Sequence, residues 1–324
     1  MSAFARMLLA LALPLAVPLA CVTSATAQTM PKQIRLVVPF AAGGSNDVIA
    51  RAIAGPLSTR LGVPVIVENK AGAAGVIGAD YVAKGPKDGS MLLLTSSSFL
   101  TAAATQKELP YDALAGFVPV AMVGRGPMIL VVSATTPYKT PADVVSAARA
   151  NPGKLNYGTA GVGSIAHLTT ELLDDSAKVS MVHVPYKGAS LASTDLAGGQ
   201  IQVMISNYST VAPLMKGGKI RGVGVTSAKP HPAFPDMQPI ASVVPGFDVD
   251  IWVGVFAPGG TPEAIVARLN QEINAIAASP DLTPVLEPDG TLPDPMPPAA
   301  FAARIKDELG QWKQLAAEHR IVAE

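Results

Sequence analysis

From residue 34 onward, short uninterrupted apolar runs alternate with segments that read as helices. Runs at 34–40, 63–67 and 91–95 read as strands, with helices expected over 47–61, closed by Gly62, and over 75–83. Strands that are apolar on both faces need helices on both faces, so the expectation is a mostly parallel sheet in an α/β fold. The pattern then restarts. Strands are expected at 128–132, 155–158, 179–184, 201–205 and 222–226, and helices at 141–150, 164–174 and 190–197. Thr140 stands where an N-cap belongs and Pro141 where a first helical turn accepts proline. Pro-rich stretches at 229–245 and 280–298 read as surface loop around a helix at 262–278, and a final helix is expected at 298–319. The restart points to two α/β lobes. The strand at 222–226 leads the chain back, giving lobe 1 as 28–124 plus 227–324 and lobe 2 as 125–226.

Residues 1–27 read as an export leader. Residues 1–6 carry one positive charge, residues 7–20 are almost all Leu, Ala, Val and Met, and Ala25-Thr26-Ala27 supplies a cleavage site before Gln28. Cys21 after Leu19-Ala20 partly matches a lipidation signal, and Pro18 argues against it; either route exports the chain to the periplasm. Cleavage after Ala27 leaves a mature chain without cysteine, which removes disulfides, thiol catalysis and thiolate metal sites together. It also leaves 23 basic against 24 acidic side chains over 297 residues, which excludes a generally basic nucleic-acid surface. Outside the leader no stretch sustains a membrane span.

Two Gly/Ser-rich turns stand out, Ala41-Ala42-Gly43-Gly44-Ser45-Asn46-Asp47 and Gly158-Thr159-Ala160-Gly161-Val162-Gly163-Ser164. Each follows a strand-like run and opens a helix-like run, so each presents backbone N–H groups and a positive helix end to an anion. Two such sites suggest a clamp. Around them, Asp47 reads either as a cleft residue or as a dipole partner in a first helical turn. His167 reads either as facing the cleft or as a hydrogen-bonded structural histidine. Tyr186 and Lys187 offer a phenol and an ammonium to a second carboxylate, against a solvated turn. Trp252 and Phe99 read either as ligand-stacking rings or as lobe core.

Little supports an exported hydrolase. The chain has no G-x-S-x-G elbow, no G-x-x-x-x-G-K-[ST] loop and no H-E-x-x-H. Gly72-x-x-Gly75-x-x-Gly78 only loosely resembles a dinucleotide fingerprint. His167, His183, His231 and His319 lack close metal-ligand spacing. No cofactor and no metal are expected.

The ordered segments resemble the Bug/TctC family of periplasmic solute-binding proteins. The resemblance is carried by residues 34–40 with Gly43-Gly44-x-x-Asp47 and Ala50-Arg51; Val67-Glu68-Asn69-Lys70-x-Gly72; Asp88-Gly89; Leu109-Pro110-Tyr111-Asp112; residues 151–157; His183-Val184-Pro185-Tyr186-Lys187-Gly188; and Ala257-Pro258-x-Gly260-Thr261-Pro262. It spans essentially the whole mature chain. It implies a two-lobed, type II-like Venus flytrap with the ligand cleft between the lobes. It also implies a small organic carboxylate as ligand, two integral membrane subunits of a tripartite tricarboxylate transporter as partners, and a monomeric receptor. In the family the carboxylate is held mainly by backbone amides and bridging waters. The matching positions here are Ala42, Gly43, Gly44, Ser45 and Asn46, the turn Ser96, Ser97 and Ser98, and Thr159, Ala160, Gly161, Gly163 and Ser164, with His167 and Tyr186 as further candidates. Where relatives commonly carry Asp-Asn after a strand of lobe 2, this chain has Ser206-Asn207 after the strand at 201–205. Losing that acid favours a carboxylate without an amino group, a dicarboxylate included. A periplasmic sensor that binds the same ligand for a signalling partner remains the rival to a transport receptor.

Overall fold

A computed structural model describes residues 30–186 and 188–323; the leader with Cys21 and its cleavage site, and Lys187, lie outside the described residues. In the first lobe, β1 (Ile34–Val38) enters α1 (Ser45–Leu61), followed by β2 (Val65–Asn69), α2 (Val76–Ala83), β3 (Met91–Ser96), α3 (Ser98–Thr105) and the long β4 (Phe117–Pro127). Gly62 ends α1 in the left-handed region at φ 69°, where glycine carries no Cβ penalty. The second lobe holds β5 (Ile129–Ser133), α4 (Pro141–Ala150), β6 (Asn156–Thr159), α5 (Ile165–Ala177), β7 (Val182–Pro185), α6 (Ala189–Ala197), β8 (Val203–Ser206), α7 (Tyr208–Lys216), β9 (Ile220–Val225) and β10 (Gln238–Pro239). The chain returns through β11 (Asp250–Pro258), α8 (Glu263–Ala277), α9 (Thr283–Leu286), a 3-10 turn at Glu287–Asp289, β12 (Leu292–Pro293) and α10 (Pro298–Glu318).

The strands form two six-stranded sheets, ordered β12-β4-β11-β3-β1-β2 and β10-β9-β5-β8-β6-β7. In the first, β1 runs parallel to β2 and β3 while β11 is antiparallel to β3 and β4. In the second, β6 runs parallel to β7 and β8 while β5 is antiparallel to β8 and β9. Each sheet therefore has a parallel half built from strand-helix units and an antiparallel half organised around one strand, β11 or β5, that enters from the other lobe. The segment at 238–239 pairs with β9 on the edge of the second sheet, so the chain rejoins the first sheet only at Asp250.

Four longer elements stand where the sequence reading assigns none, α3, β4, α7 and β11, and the short β10, α9 and β12 fall inside the Pro-rich stretches read as surface loop. β4 carries Pro119, Gly124 and Gly126, and β11 takes its place by pairing with β4 along its full length. Only nonlocal hydrogen bonds make these segments strands. α7 is nine residues long with Pro213 inside it, too short and too interrupted for a clear helical period.

The two crossings between lobes meet at a buried threonine. Thr226 Oγ1 accepts from Met128 N–H at 2.8 Å and donates to Val249 O at 2.6 Å, and the Thr226 N–H donates to Met128 O at 2.9 Å. One residue after β9 thus ties together the crossings at β4/β5 and before β11.

The first lobe core packs Leu36, Ile53, Leu57, Leu94, Val255 and Leu269 between α1, the sheet and α8. On the sheet's other face Trp252, Phe256 and Phe301 pack at ring-centroid distances of 5.2–6.0 Å. Trp252 also donates its indole N–H to Glu308 at 2.9 Å, and Phe99 lies among Tyr111, Phe117 and Phe256. Both rings are core, not ligand platforms.

Candidate functional site

The parallel halves of the two sheets carry their strand-to-helix turns toward one another, and between them lies a cavity of about 460 Å³. From the first lobe it is lined by Ala42, Gly43, Gly44, Ser45 and Asn46 at the start of α1, and by Ser96 and Ser98 around the start of α3. From the second lobe come Ala160, Ser164, Ile165 and Ala166 at the start of α5, Gly188, Ala189 and Ser190 at the start of α6, and Ser206, Asn207 and Thr210 at the start of α7. Five helix N-termini therefore converge on one space. Among the described residues no charged side chain lines it.

The local sequence explains the first turn. Gly43 sits at φ +82°, a conformation that an L side chain rarely adopts, and turns the chain from β1 into α1. Its N–H donates to Asp47 Oδ2 at 2.9 Å, so this amide is spent inside the protein. Asp47 is itself buried and also accepts from Arg51 Nε at 2.9 Å and Asn69 Nδ2 at 2.9 Å. The Arg51 hydrogen bond, with those from Gly43 and Asn69, outweighs burial and holds the Asp47 carboxyl down at about 2. Asp47 thus braces the turn from behind. The N–H groups of Gly44, Ser45 and Asn46 have no acceptor among the described residues and face the cavity end of α1.

The second turn is braced differently. His167 is buried, and its Nδ1 accepts from the Gly163 N–H at 3.2 Å. Its ring stacks on His183, which lies 2.6 Å from Thr159 Oγ1. Burial lowers both imidazoles, His167 to about 3 with a further push from His183, and His183 to about 4, so the pair is neutral. The accepting Nδ1 leaves the proton of His167 on Nε2, facing Glu171 at 3.8 Å.

Several expected contact residues therefore lie away from the cavity lining. Thr159, Gly161 and Gly163 form the turn's internal hydrogen bonds: Gly161 N–H donates to Thr159 Oγ1 at 3.2 Å and Gly163 N–H to His167. Ser97 is fully buried and its Oγ accepts from the Trp252 N–H at 3.0 Å, pinning α3 to β11. Tyr186 donates its hydroxyl to Asp195 at 2.7 Å instead of pointing it into the cleft. In each case the polar group is engaged by a partner inside the protein.

The structure adds cavity residues that the sequence reading did not single out. Met128 comes from the crossing between β4 and β5, Met204 and Ile205 from β8, Ile251 from β11, and Ile165 and Ala166 from α5. They form an apolar wall, and their side chains look like core in the sequence because they sit in the same apolar runs as core residues of their strands and helix. Ser206 and Asn207, expected near the cleft, do line the cavity at the start of α7, whereas Thr210 and the start of α6 at Gly188, Ala189 and Ser190 were not singled out. A larger recess, about 670 Å³, is bordered by α10 and the start of β11. Its wall carries Asp248, Asp250, Asp307 and Glu308, with Arg304 the cation among its lining residues, so it repels the anions that the helix ends attract.

Comparison with known proteins agrees with this architecture. A family model described as "Tripartite tricarboxylate transporter family receptor" matches residues 49–321. The protein BugT of Bordetella pertussis is 35% identical over 297 residues, covering 90% of this chain and 91% of its own. A solved structure of Rpa4515 of R. palustris with adipate superposes with a TM-score of 0.82 at 35% identity, covering 90% of this chain and 98% of that one. MatC of Rhodopseudomonas palustris with bound malate superposes at 0.78 and 31% identity, covering 87% and 98%.

Proposed function

The chain belongs to the tripartite tricarboxylate transporter receptor family, and from that premise we propose that it is an exported receptor that closes on a small organic dicarboxylate. It then hands the ligand to two integral membrane subunits of a transporter. The supporting observation is the convergence of five helix N-termini on one cavity without a charged side chain among the described residues. Each helix end contributes about 0.3–1 kcal/mol toward an anion when exposed, and up to ~2 when partly buried. Micromolar binding corresponds to about 8 kcal/mol, so several ends must act together with hydrogen bonds, apolar contact and closure.

Helix ends on both walls favour a ligand with two anionic groups, and the apolar wall of Met128, Met204 and Ile251 suits a short hydrocarbon body between them. Ser206 stands at the cavity where an acid would have recruited an ammonium. The relatives solved with adipate and malate carry ligands of this class. The lobes divide at the crossings tied by Thr226, so we assign residues 28–127 and 250–324 to the first and 128–249 to the second, with the leader removed near Ala27. The receptor acts as a monomer.

The test is thermal denaturation of protein that has been unfolded and refolded to strip carried ligand, against adipate, malate, succinate, citrate, benzoate, glutamate and glycine. Binding to the native state raises the midpoint by mass action. A concentration-dependent rise with a diacid, larger than with glutamate or benzoate, is expected. A rise with glutamate alone, or with none of the acids, overturns the reading.

A further inference from the structure

The helix N-terminus of α7 has an unusual cap. Its N-cap residue, Asn207, makes no side-chain capping hydrogen bond, whereas Thr140 and Ser164 cap α4 and α5 from their own chain positions. The cap of α7 comes from the other lobe. Asp289, in the 3-10 turn before β12, accepts from the Ser209 N–H at 2.6 Å and from the Ser209 hydroxyl at 2.9 Å. The same carboxylate accepts from the Ser45 hydroxyl at 3.0 Å, at the first helical residue of α1. One carboxylate therefore joins the cleft-facing ends of two helices on opposite lobes.

The backbone around it is fitted to this contact. Gly290 adopts φ +65°, and a methyl group there would come within 2.7 Å of the Phe234 ring and 3.0 Å of His231, both on the second lobe. The 3-10 turn can rest on the second lobe only because position 290 has no side chain. Asp289 and Ser209 lie 80 residues apart in sequence, so their contact depends on the relative position of the lobes and not on local folding.

We propose that Asp289 is an interlobe latch, a positioning residue whose carboxylate caps α7 in the closed state and sets how long that state persists. Opening the cleft breaks the two hydrogen bonds from Ser209 and returns the N-terminus of α7 to solvent, while the Ser45 bond, made within the first lobe, is kept. Charge-assisted bonds at a helix end are stronger than neutral ones, and the half-buried setting moderates them. By holding the Ser45 hydroxyl, Asp289 also leaves the N–H groups of α1, not that hydroxyl, as the groups offered to an anion. The effect on ligand lifetime rests on the receptor reading; the effect on lobe closure does not.

The experiment measures lobe separation and ligand release in Asp289→Asn, Ser209→Ala and the double variant. Spin labels at Val48→Cys and Leu191→Cys, exposed positions in the first turns of α1 and α6, report the distance across the cleft in a chain carrying Cys21→Ser. Adipate is the probe ligand, and its dissociation is timed by displacement. The latch is supported if Asp289→Asn lengthens or broadens the ligand-free distance, or speeds adipate release about three- to tenfold, with a double variant no worse than Asp289→Asn alone. Unchanged distances together with unchanged release overturn it. Tighter adipate binding in Asp289→Asn also overturns it, since the carboxylate would then act only as a repelling charge. If adipate does not bind the parent protein, the receptor reading fails on that control and the ligand-free distances alone decide the latch: a longer or broader distribution supports it, and an unchanged one overturns it. Equal melting temperatures of the variants separate these effects from loss of fold.

Discussion

His167 and His183 lie ring on ring behind the second glycine turn, with centroids 3.8 Å apart and planes 14° from parallel. Two imidazoles so placed cannot both be charged cheaply, and burial already disfavours the first proton. Their folded values of about 3 and about 4 lie below the ordinary 6.5. As the pH falls from 6.5 toward 4 the unfolded chain binds protons that the folded chain refuses, so stability declines by about 1.4 kcal/mol per net proton per pH unit. Asp174 works the other way. Burial raises it to about 6, so between 3.8 and 6 the folded state holds a proton that the unfolded state lacks, and the native state gains as pH falls through that window. Urea midpoints between pH 7 and 4 should therefore fall modestly in the parent and more steeply in Asp174→Asn. A flat profile in both would show that the stacked pair is not neutral.

Asp47 supports the first turn through three hydrogen bonds from Gly43, Arg51 and Asn69. Asp47→Asn keeps the shape but weakens the acceptor, and is expected to lower stability by about 1–3 kcal/mol. Because the carboxyl sits at about 2 when folded, below its ordinary 3.8, its contribution is intact above pH 4 and disappears as the pH drops toward 2. Chemical denaturation at pH 7 and pH 2.5 measures both: the gap between parent and variant should be large at the first and small at the second.

Gly43 and Gly44 are neighbours with different constraints. Gly43 has φ +82° and open space where a methyl group would stand, whereas Gly44 has φ −78° with only Ala41 O at 3.6 Å from that position. Gly43→Ala should cost about 1 kcal/mol through backbone strain alone. Gly44→Ala should leave the melting temperature nearly unchanged, while Gly44→Leu fills the cavity and abolishes diacid binding in titration calorimetry without unfolding the protein.

Gly163 marks a close approach between lobes. A Cβ there would collide with the Thr105 hydroxyl, across from it on α3. Gly163→Ala is expected to hold the lobes apart, reduce adipate affinity and leave each lobe folded; small-angle scattering with saturating adipate should show a larger radius of gyration than the parent. Restored closure in Gly163→Ala/Thr105→Ala would identify the clash as the cause.

Ser206 is nearly buried at the end of β8 and lines the cleft. Ser206→Asp places a carboxylate among groups arranged for anions, and diacid affinity should drop by about tenfold or more through like-charge repulsion. Glutamate should lose less than succinate, since its ammonium gains a partner. Equal losses for both acids would mean that position 206 does not face the ligand.

Local rules carried far in this chain. The continuous apolar runs produced β1, β3, β5 and β8 close to where they were expected, because a strand buried on both faces needs no partner's identity to be recognised; the edge strand β2 and the short β6 also formed near their expected places. Gly62 stopped α1, and Thr140 formed a full capping box with Asp143. Both turns opened helices at the edge of one cavity, since a glycine turn after a strand fixes where N–H groups point.

Other features depended on pairings that no window of sequence contains. β4 and β11 are strands because they hydrogen-bond to each other across more than a hundred residues. Whether a hydroxyl serves a ligand or the protein was likewise settled by folding: Trp252 took Ser97 and Asp289 took Ser45 from far along the chain, and Asp195 took Tyr186 once α6 had formed. His167 turned inward because His183 lay opposite it. The sequence by itself determined the alternation of strands and helices and the two glycine-rich turns that open helices at the cavity, all consequences of short-range hydrophobicity and backbone geometry. The tertiary structure decided which polar groups are free, because a hydrogen bond saturates its donor only when folding brings the acceptor within about 3 Å.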